Sequence, residues 1–340
     1  MTYKIAILAP IAWRTPPLGC GPWEQVASNI TEGLVKLGYD VTLFATMDSI
    51  TQARHYAICP TGYEVNKDID PEVWKLLHIS EVFERAEYFD IIHNHFNYPP
   101  LVFSKLIKTP LLTTIQGFSS EKVVPVYKKY NKHVHYVSIS DADRHPELDY
   151  IDTVYNGINL KDFTFNPEGG DTLLYLGRIC YEKGTSEAIQ IAKKAKKRLI
   201  IAGIIQEEDY FKEKVEPFID GEQIKYLGYI SIGERNELLQ NALALLNPVR
   251  QLERSGLTMI EAMACGTPVL GFDLGSVREV VAHDETGFIV KSIEEAVKSV
   301  DKLENINRDK CRQRVEQNFT VDKMVERYID VYERVLSSKT

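Results

Sequence analysis

At 340 residues the chain exceeds the ~100–200 residues of one ordinary domain, so two domains are expected. A hydrophobic share of 44% and a charged share of 26% fit a globular protein and exclude a disordered one. The net charge of -8 excludes a nucleic-acid backbone as partner, because that role needs a basic surface to displace counterions.

In chain order, residues 5–8 read as a buried first strand, and the apolar run is too short for the core of a signal peptide. A polar, proline-rich loop follows as far as Pro22. Residues 24–36 read as a helix with Val26, Ile30, Leu34 and Leu37 on one face, ended by Gly38. A strand at 41–44 comes next. The stretch 47–89 is less regular, although 71–86 reads as a helix whose apolar positions are Val73, Leu76, Leu77 and Val82. Further strands are expected at 91–93, 111–115 and 135–139, with helical stretches between them. Such alternation implies a parallel sheet with helices on both faces.

The pattern restarts after Asn156 and Gly157, across a linker-like composition at 164–171. Strands are expected at 173–176, 199–202, 225–227, 242–246 and 268–271, and helices at 186–196, near 208–215, at 233–241 and at 257–263. The last helix, about 321–336, is amphipathic and no strand follows it. The expected architecture is therefore α/β, with two Rossmann-like doubly wound halves.

The cysteines are Cys20, Cys59, Cys180, Cys265 and Cys311, an odd number without a CxxC pair. Reduced thiols and a cytoplasmic protein are expected, with neither a disulfide frame nor a zinc site. No run approaches the ~18 apolar residues of a membrane-spanning helix. The basic cluster from Lys193 to Arg198 sits where a helix should end, and cations are favoured there. A basic and apolar mix from Lys122 to Lys132 could touch a membrane surface, but Pro125 interrupts any long amphipathic helix, so membrane contact is the minor reading.

Three motifs fall between a strand and the following helix, the edge at which doubly wound sheets bind ligands. The first holds Gly19, Gly21, Pro22, Trp23 and Glu24. Glycines there let a backbone approach a ligand, although an ordinary turn reads the same way, and the dinucleotide fingerprint is absent. The second holds Gly177, Arg178, Lys183 and Gly184. A planar fork and a mobile point charge together suit a diphosphate, whereas the plainer reading is two solvated loop cations. The third holds Glu253, Ser255, Gly256, Leu257, Glu261, Gly266 and Pro268. Ser255 is the expected helix cap. Glu261 lies on an otherwise apolar helix and is either a buried acceptor that needs a partner or a residue of the outer face. His93 and His95 share one face of a strand. Without a carboxylate or cysteine cluster around them, an acceptor-site or structural role outweighs metal binding.

These residues resemble the retaining glycosyltransferase family four, of the GT-B fold. The likeness covers nearly the whole chain and is strongest from 173 to 268. The family's Gly-Arg-x4-Lys-Gly element is matched by Gly177, Arg178, Lys183 and Gly184, and its Glu-x7-Glu element by Glu253 and Glu261. Asp90, His93 and His95 match a strand end of the family, and Asn156 with Gly157 its inter-domain turn. The resemblance implies a Rossmann-like acceptor domain at 1–165 and a donor domain at 166–318, facing a cleft. A C-terminal helix at 319–340 would cross back to the first domain. It also implies transfer of a hexose, with retention, from a nucleotide-diphosphate sugar (a UDP-sugar foremost) to a hydroxyl acceptor, a small molecule or a saccharide. No cofactor and no metal are expected.

By the same resemblance Arg178 and Lys183 bind the diphosphate, and Gly21 faces it. Glu253 contacts the donor sugar, with Ser255, Gly256 and Leu257 beside it, and Glu261 contacts the ribose. Backbone at Tyr229 and Ile230 reads the base. Trp23, His93 and His95 are the acceptor-site candidates, and Gln116, Glu253, Arg178 and Lys183 the catalytic ones. Three positions depart from the family. Gln116 replaces a histidine and cannot titrate. Arg254 and Ser255 replace Pro-Phe. Pro22 replaces a glycine and removes one backbone donor. The competing reading is a sugar-nucleotide-binding or donor-hydrolysing relative with little or no transferase activity. A nicotinamide dehydrogenase is disfavoured by the missing fingerprint.

Overall fold

The computed structural model describes residues 3–19, 21–117 and 121–337, so Cys20 lies outside the described residues. Two compact units emerge: Met1–Gly157 together with Val321–Thr340, and Ile158–Thr320.

The first unit is built on seven parallel strands: β1 (Lys4–Leu8), β2 (Asp40–Phe44), β3 (Arg54–Tyr56), β4 (Ile91–Asn94), β5 (Leu111–Ile115), β6 (His135–Ser138) and β7 (Tyr150–Thr153). Their order is β3-β2-β1-β4-β5-β6-β7. The chain runs outward from β1 and then returns to its other side, so the topological switch lies between β1 and β4. Three helices join the strands: α1 (Pro22–Lys36), α2 (Pro71–Glu84) and α3 (Val124–Tyr130). Central strands are buried on both faces, which is why they read as unbroken apolar runs. Alternation along β1 sends Ile5 and Ile7 into one core with Ala27, Ile30 and Leu34. Ala6 and Leu8 enter the opposite core with Phe44, Ile79 and Tyr136.

Unit two has six parallel strands: β8 (Thr172–Leu176), β9 (Leu199–Ala202), β10 (Ile224–Tyr226), β11 (Ala242–Asn247), β12 (Val269–Phe272) and β13 (Gly287–Val290). Their order is β10-β9-β8-β11-β12-β13, with the switch between β8 and β11. The helices are α4 (Thr185–Lys194), α5 (Glu208–Lys214), α6 (Ile232–Gln240), α7 (Leu257–Ala264), α8 (Val277–Val280), α9 (Ile293–Val300) and α10 (Arg308–Asn318). A capping box starts α6, with Ser231 and Glu234 satisfying each other's backbone donors.

The last helix, α11 (Val321–Ser337), belongs to the first unit. Its buried residues Met324, Val325, Tyr328, Val331, Tyr332 and Val335 recur at helical spacing. They pack on α1 where Gly33 has no side chain; a Cβ there would lie 2.5 Å from Val325. Each large apolar residue so buried contributes about 1.5–3 kcal/mol. Asp152 at the end of the sheet, 8% exposed, takes ion pairs from both Arg327 and Arg334 of this helix.

Several expectations change. In α2 the buried residues are His78, Ile79 and Val82, while Val73, Leu76 and Leu77 face solvent. Pro125 lies in the first turn of α3, where a missing N–H costs nothing. Val124, Tyr127 and Tyr130 of that helix enter the core, which leaves no apolar face for a membrane. Among the described residues no helix is long and apolar enough to cross one. The border between the units falls at Gly157 and Ile158, ahead of the linker-like stretch.

Candidate functional site

Each sheet presents a ligand edge at its switch point, outside the carboxyl ends of the strands. On the second unit this edge is made of β8 running into Gly177 and Arg178, and β11 running into the loop that carries Glu253. Gly184 caps α4 in the left-handed region (φ 72°), and a Cβ there would lie 1.9 Å from the carbonyl oxygen of Pro248. Only glycine permits this approach, so it fixes the spacing of the two loops. Arg250 frames the same corner. Its backbone N–H donates to the Glu182 carbonyl at 2.8 Å, its guanidinium donates to the Tyr181 hydroxyl at 2.8 Å, and it pairs with buried Glu187.

Within this frame every motif charge has a partner. The Lys183 amine donates to Glu253 Oε2 at 2.8 Å, with the two side chains 28% and 13% exposed. Arg178 donates to Glu182 at 2.6 Å and to Gln206. The Glu261 carboxylate meets the Arg235 guanidinium of α6 at 3.2 Å. Burial pushes the Glu261 carboxyl up from its ordinary range, and Arg235 pulls it back. Glu261, its side chain 13% exposed, thus faces α6 and not the outer side of its helix. Arg235, Arg250 and Glu187 carry no motif signal; each is found only through a partner distant in sequence.

One expected cap is replaced. Gly256, in the left-handed region at φ 67°, is the N-cap of α7 without any side-chain hydrogen bond, so Ser255 does not cap that helix. The Gly256 N–H reaches Glu253 Oε1 at 3.4 Å. Ahead of α6, Tyr229 is exposed, and it lines with Ile230 a cavity of about 480 Å³ bounded by that helix. The basic cluster after α4 is spent on ion pairs from Lys194 to Glu294, Lys197 to Glu304 and Arg198 to Asp171.

The edge of the first unit is rich in aromatic rings. Gly21 is the N-cap of α1, and Pro22 opens that helix, where its lost donor would have been an orphan anyway. Glu24, 3% exposed, accepts the Trp13 N–H at 3.2 Å and so ties the loop after β1 to α1. Burial raises its carboxyl to about 7, against several backbone hydrogen bonds that lower it. A cavity of about 320 Å³ opens beside it, lined among others by Trp13, Trp23, Tyr63, Lys75, Phe96 and Tyr98.

His93 lies in β4 and His95 just after it. His93 is fully buried, with Nδ1 2.8 Å from the Tyr332 hydroxyl and Nε2 2.8 Å from Thr114 Oγ1. Nδ1 is taken by Tyr332 of α11 and Nε2 by Thr114 of β5, so both ring nitrogens of this buried histidine are occupied. The His95 ring lies 4.1 Å from that of His93, and its Nε2 is buried without a partner among the described residues. Burial lowers His93 well below the usual value and His95 to about 3, so both are neutral at neutral pH. Gln116 follows β5. Its Oε1 accepts from Asn156 at 3.1 Å, and its amide nitrogen stands 3.5 Å from His95 Nδ1. No group of three or more His, Cys, Asp or Glu that could hold a metal occurs among the described residues.

The model of the family "Glycosyl transferases group 1" matches residues 158–320, the whole second unit. The chain is 22% identical over 338 residues to an uncharacterized glycosyltransferase of Methanocaldococcus jannaschii, covering 83% of this chain and 84% of that one. Two solved structures share its fold. Sucrose-phosphate synthase of Thermosynechococcus elongatus has a TM-score of 0.76 at 17% identity, over 98% of this chain and 100% of that one. Anabaena HepE, solved with UDP and glucose, has a TM-score of 0.72 at 18% identity, over 97% and 99%. Residues 158–320, the second unit, thus match the group 1 glycosyl transferases, and the chain as a whole has the GT-B fold of these structures.

Proposed function

We propose that this chain transfers a hexose from a UDP-sugar to a hydroxyl acceptor with retention of anomeric configuration. The observation that carries the reading is the paired set on the second ligand edge. Lys183 and Arg178 are each held by a carboxylate that a diphosphate can replace. When the diphosphate takes the two cations, Glu253 is released to accept hydroxyl hydrogens of the sugar. Glu261 keeps Arg235 on one oxygen and offers the other to the ribose. Backbone at Tyr229 and Ile230 reads the base, and Ser255, Gly256 and Leu257 bring backbone close to the phosphates. The UDP and glucose bound by HepE support this choice of donor by analogy of fold.

In the step itself the bond from the anomeric carbon to the phosphate oxygen breaks as positive charge grows on the sugar ring. Arg178 and Lys183 stabilise the departing negative charge, the part a metal plays in other transferases. The acceptor oxygen attacks from the face the phosphate leaves, and its proton passes to a phosphate oxygen. Gln116 donates a hydrogen bond where the family has a histidine, and supplies no positive charge.

A second reading, a donor-binding or donor-hydrolysing relative, is favoured by Gln116, whose carbonyl is already occupied by Asn156. Incubation with UDP-, GDP- and ADP-sugars, with and without an alcohol acceptor, decides between them through released nucleotide and glycoside formed. Glycoside from a UDP-sugar is the expected result. Nucleotide without glycoside selects hydrolysis, and neither product selects binding alone.

A further inference from the structure

The cavity at the switch point of the first sheet has a composition that the transferase reading does not use. Trp13, Trp23, Tyr63, Phe96 and Tyr98 contribute five aromatic rings from four separate stretches of chain. Its polar groups are few and largely engaged. Glu24 accepts the Trp13 N–H, Asn97 accepts the Tyr127 hydroxyl through Oδ1, and the Lys75 amine lies 4.7 Å over the centre of the Tyr63 ring. A saccharide brought into such a wall would bury several hydroxyls with hardly any partners, and each unmet hydroxyl is costly. A planar ring system instead gains stacking contacts on several sides and needs only one or two polar partners at its rim. At about 320 Å³ the cavity is also at the small end of ligand pockets, too short for an oligosaccharide.

We propose that this cavity binds the acceptor, and that the acceptor is a small planar aromatic alcohol stacked among Trp13, Trp23, Tyr63, Phe96 and Tyr98, with Glu24 and Lys75 at its polar rim. The proposal rests on the transferase reading for the word acceptor, but the aromatic selectivity of the cavity stands apart from it. Glu24 can serve a hydroxyl in either protonation state, as donor when neutral and as acceptor when charged. The donor edge of the second unit is instead set with charged pairs, Lys183 with Glu253 and Arg178 with Glu182, so the two substrates are distinguished by chemistry.

Calorimetric titration of the full chain, without donor, tests the aromatic part. The probes are 7-hydroxycoumarin and methyl α-D-glucopyranoside. Saturable binding of the coumarin is expected, with no measurable heat from the glucoside. Trp23→Leu and, separately, Tyr63→Leu should each weaken coumarin binding about tenfold or more, the size of one lost stacking partner. Thermal melting of each variant identifies any that has unfolded. Absence of coumarin binding, tighter binding of the glucoside, or unchanged coumarin affinity in both folded variants overturns the proposal. Adding UDP-glucose then tests the reading beneath it. Coumarin that binds but is never glucosylated removes the role of acceptor and leaves the aromatic site standing. Donor turnover with no coumarin binding removes the aromatic site and leaves the transferase.

Discussion

The two sheets share a topology, yet their ligand edges are built from opposite electrostatics. At the second edge full charges are compensated in pairs: Lys183 with Glu253, Arg178 with Glu182, Arg235 with Glu261. At the first, burial disfavours charge: it keeps His93 and His95 neutral and raises the Glu24 carboxyl to about 7. A paired edge can exchange an internal carboxylate for an anionic ligand at small net cost, because charge compensation is preserved. An aromatic edge would lose that exchange but can accept a ligand without formal charge. The same fold therefore supplies two electrostatically different ligand edges.

The largest effect should come from breaking the charged edge. Lys183→Ala removes a charge-assisted hydrogen bond and should weaken donor diphosphate binding or turnover by about 1.5–3 kcal/mol, roughly 10- to 150-fold. Nucleotide affinity and release rate measure it; unchanged values would place the phosphates elsewhere.

The aromatic edge is tested by Glu24→Gln. A carboxyl raised from 4.5 to about 7 in the folded state binds its proton more tightly there than in the unfolded chain. Its contribution to stability is complete below pH 4.5 and is lost as pH rises towards 7. The glutamine variant has no such loss. Relative to the parent it should therefore gain on the order of 2–3 kcal/mol between pH 5 and pH 8 in denaturant unfolding. An equal difference at both pH values would mean that Glu24 is charged in the fold.

Putting a titratable group at position 116 sharpens the contrast. Gln116→His keeps a hydrogen-bond donor and adds a group that can carry positive charge. The rate should rise, by up to about 100-fold, with donor affinity within a few fold. If the histidine variant is no faster, or Gln116→Ala matches the parent, position 116 has no catalytic role. The smallest effect expected is that of a chelator. With Arg178 and Lys183 supplying the charge, turnover should persist in EDTA; loss restored by Mn²⁺ or Mg²⁺ would show that the pairs are insufficient.

How far the sequence could be read follows from where each element lies in its sheet. Strands β1, β4, β5, β8 and β11 are central and show as apolar runs. The strands overlooked, β3, β7 and β13, all lie at sheet edges. All three residues of β3, Arg54, His55 and Tyr56, are exposed, so no hydrophobic signal marks them. The helix α10 buries only Cys311 and Val315 and is equally silent. For α2 the apolar positions Val73, Leu76, Leu77 and Val82 are visible, but which of them turn inward is not: the core contact is made through His78, Ile79 and Val82.

The sequence by itself determined the βα alternation, the two doubly wound halves and the motif positions at strand ends, because periodicity and short spacings are local properties of the chain. It also carried the family likeness through Gly177, Arg178, Lys183, Gly184, Glu253 and Glu261. Only the tertiary structure decided what each of those groups meets. Glu261 finds Arg235 and Lys183 finds Glu253, pairs 26 and 70 residues apart that no local pattern encodes. It decided likewise that His93 is occupied by Tyr332 of the last helix, and that Glu24 is stripped of water beside five aromatic rings. Partners, burial and hence charge state are properties of position in space, and spacing along the chain does not contain them.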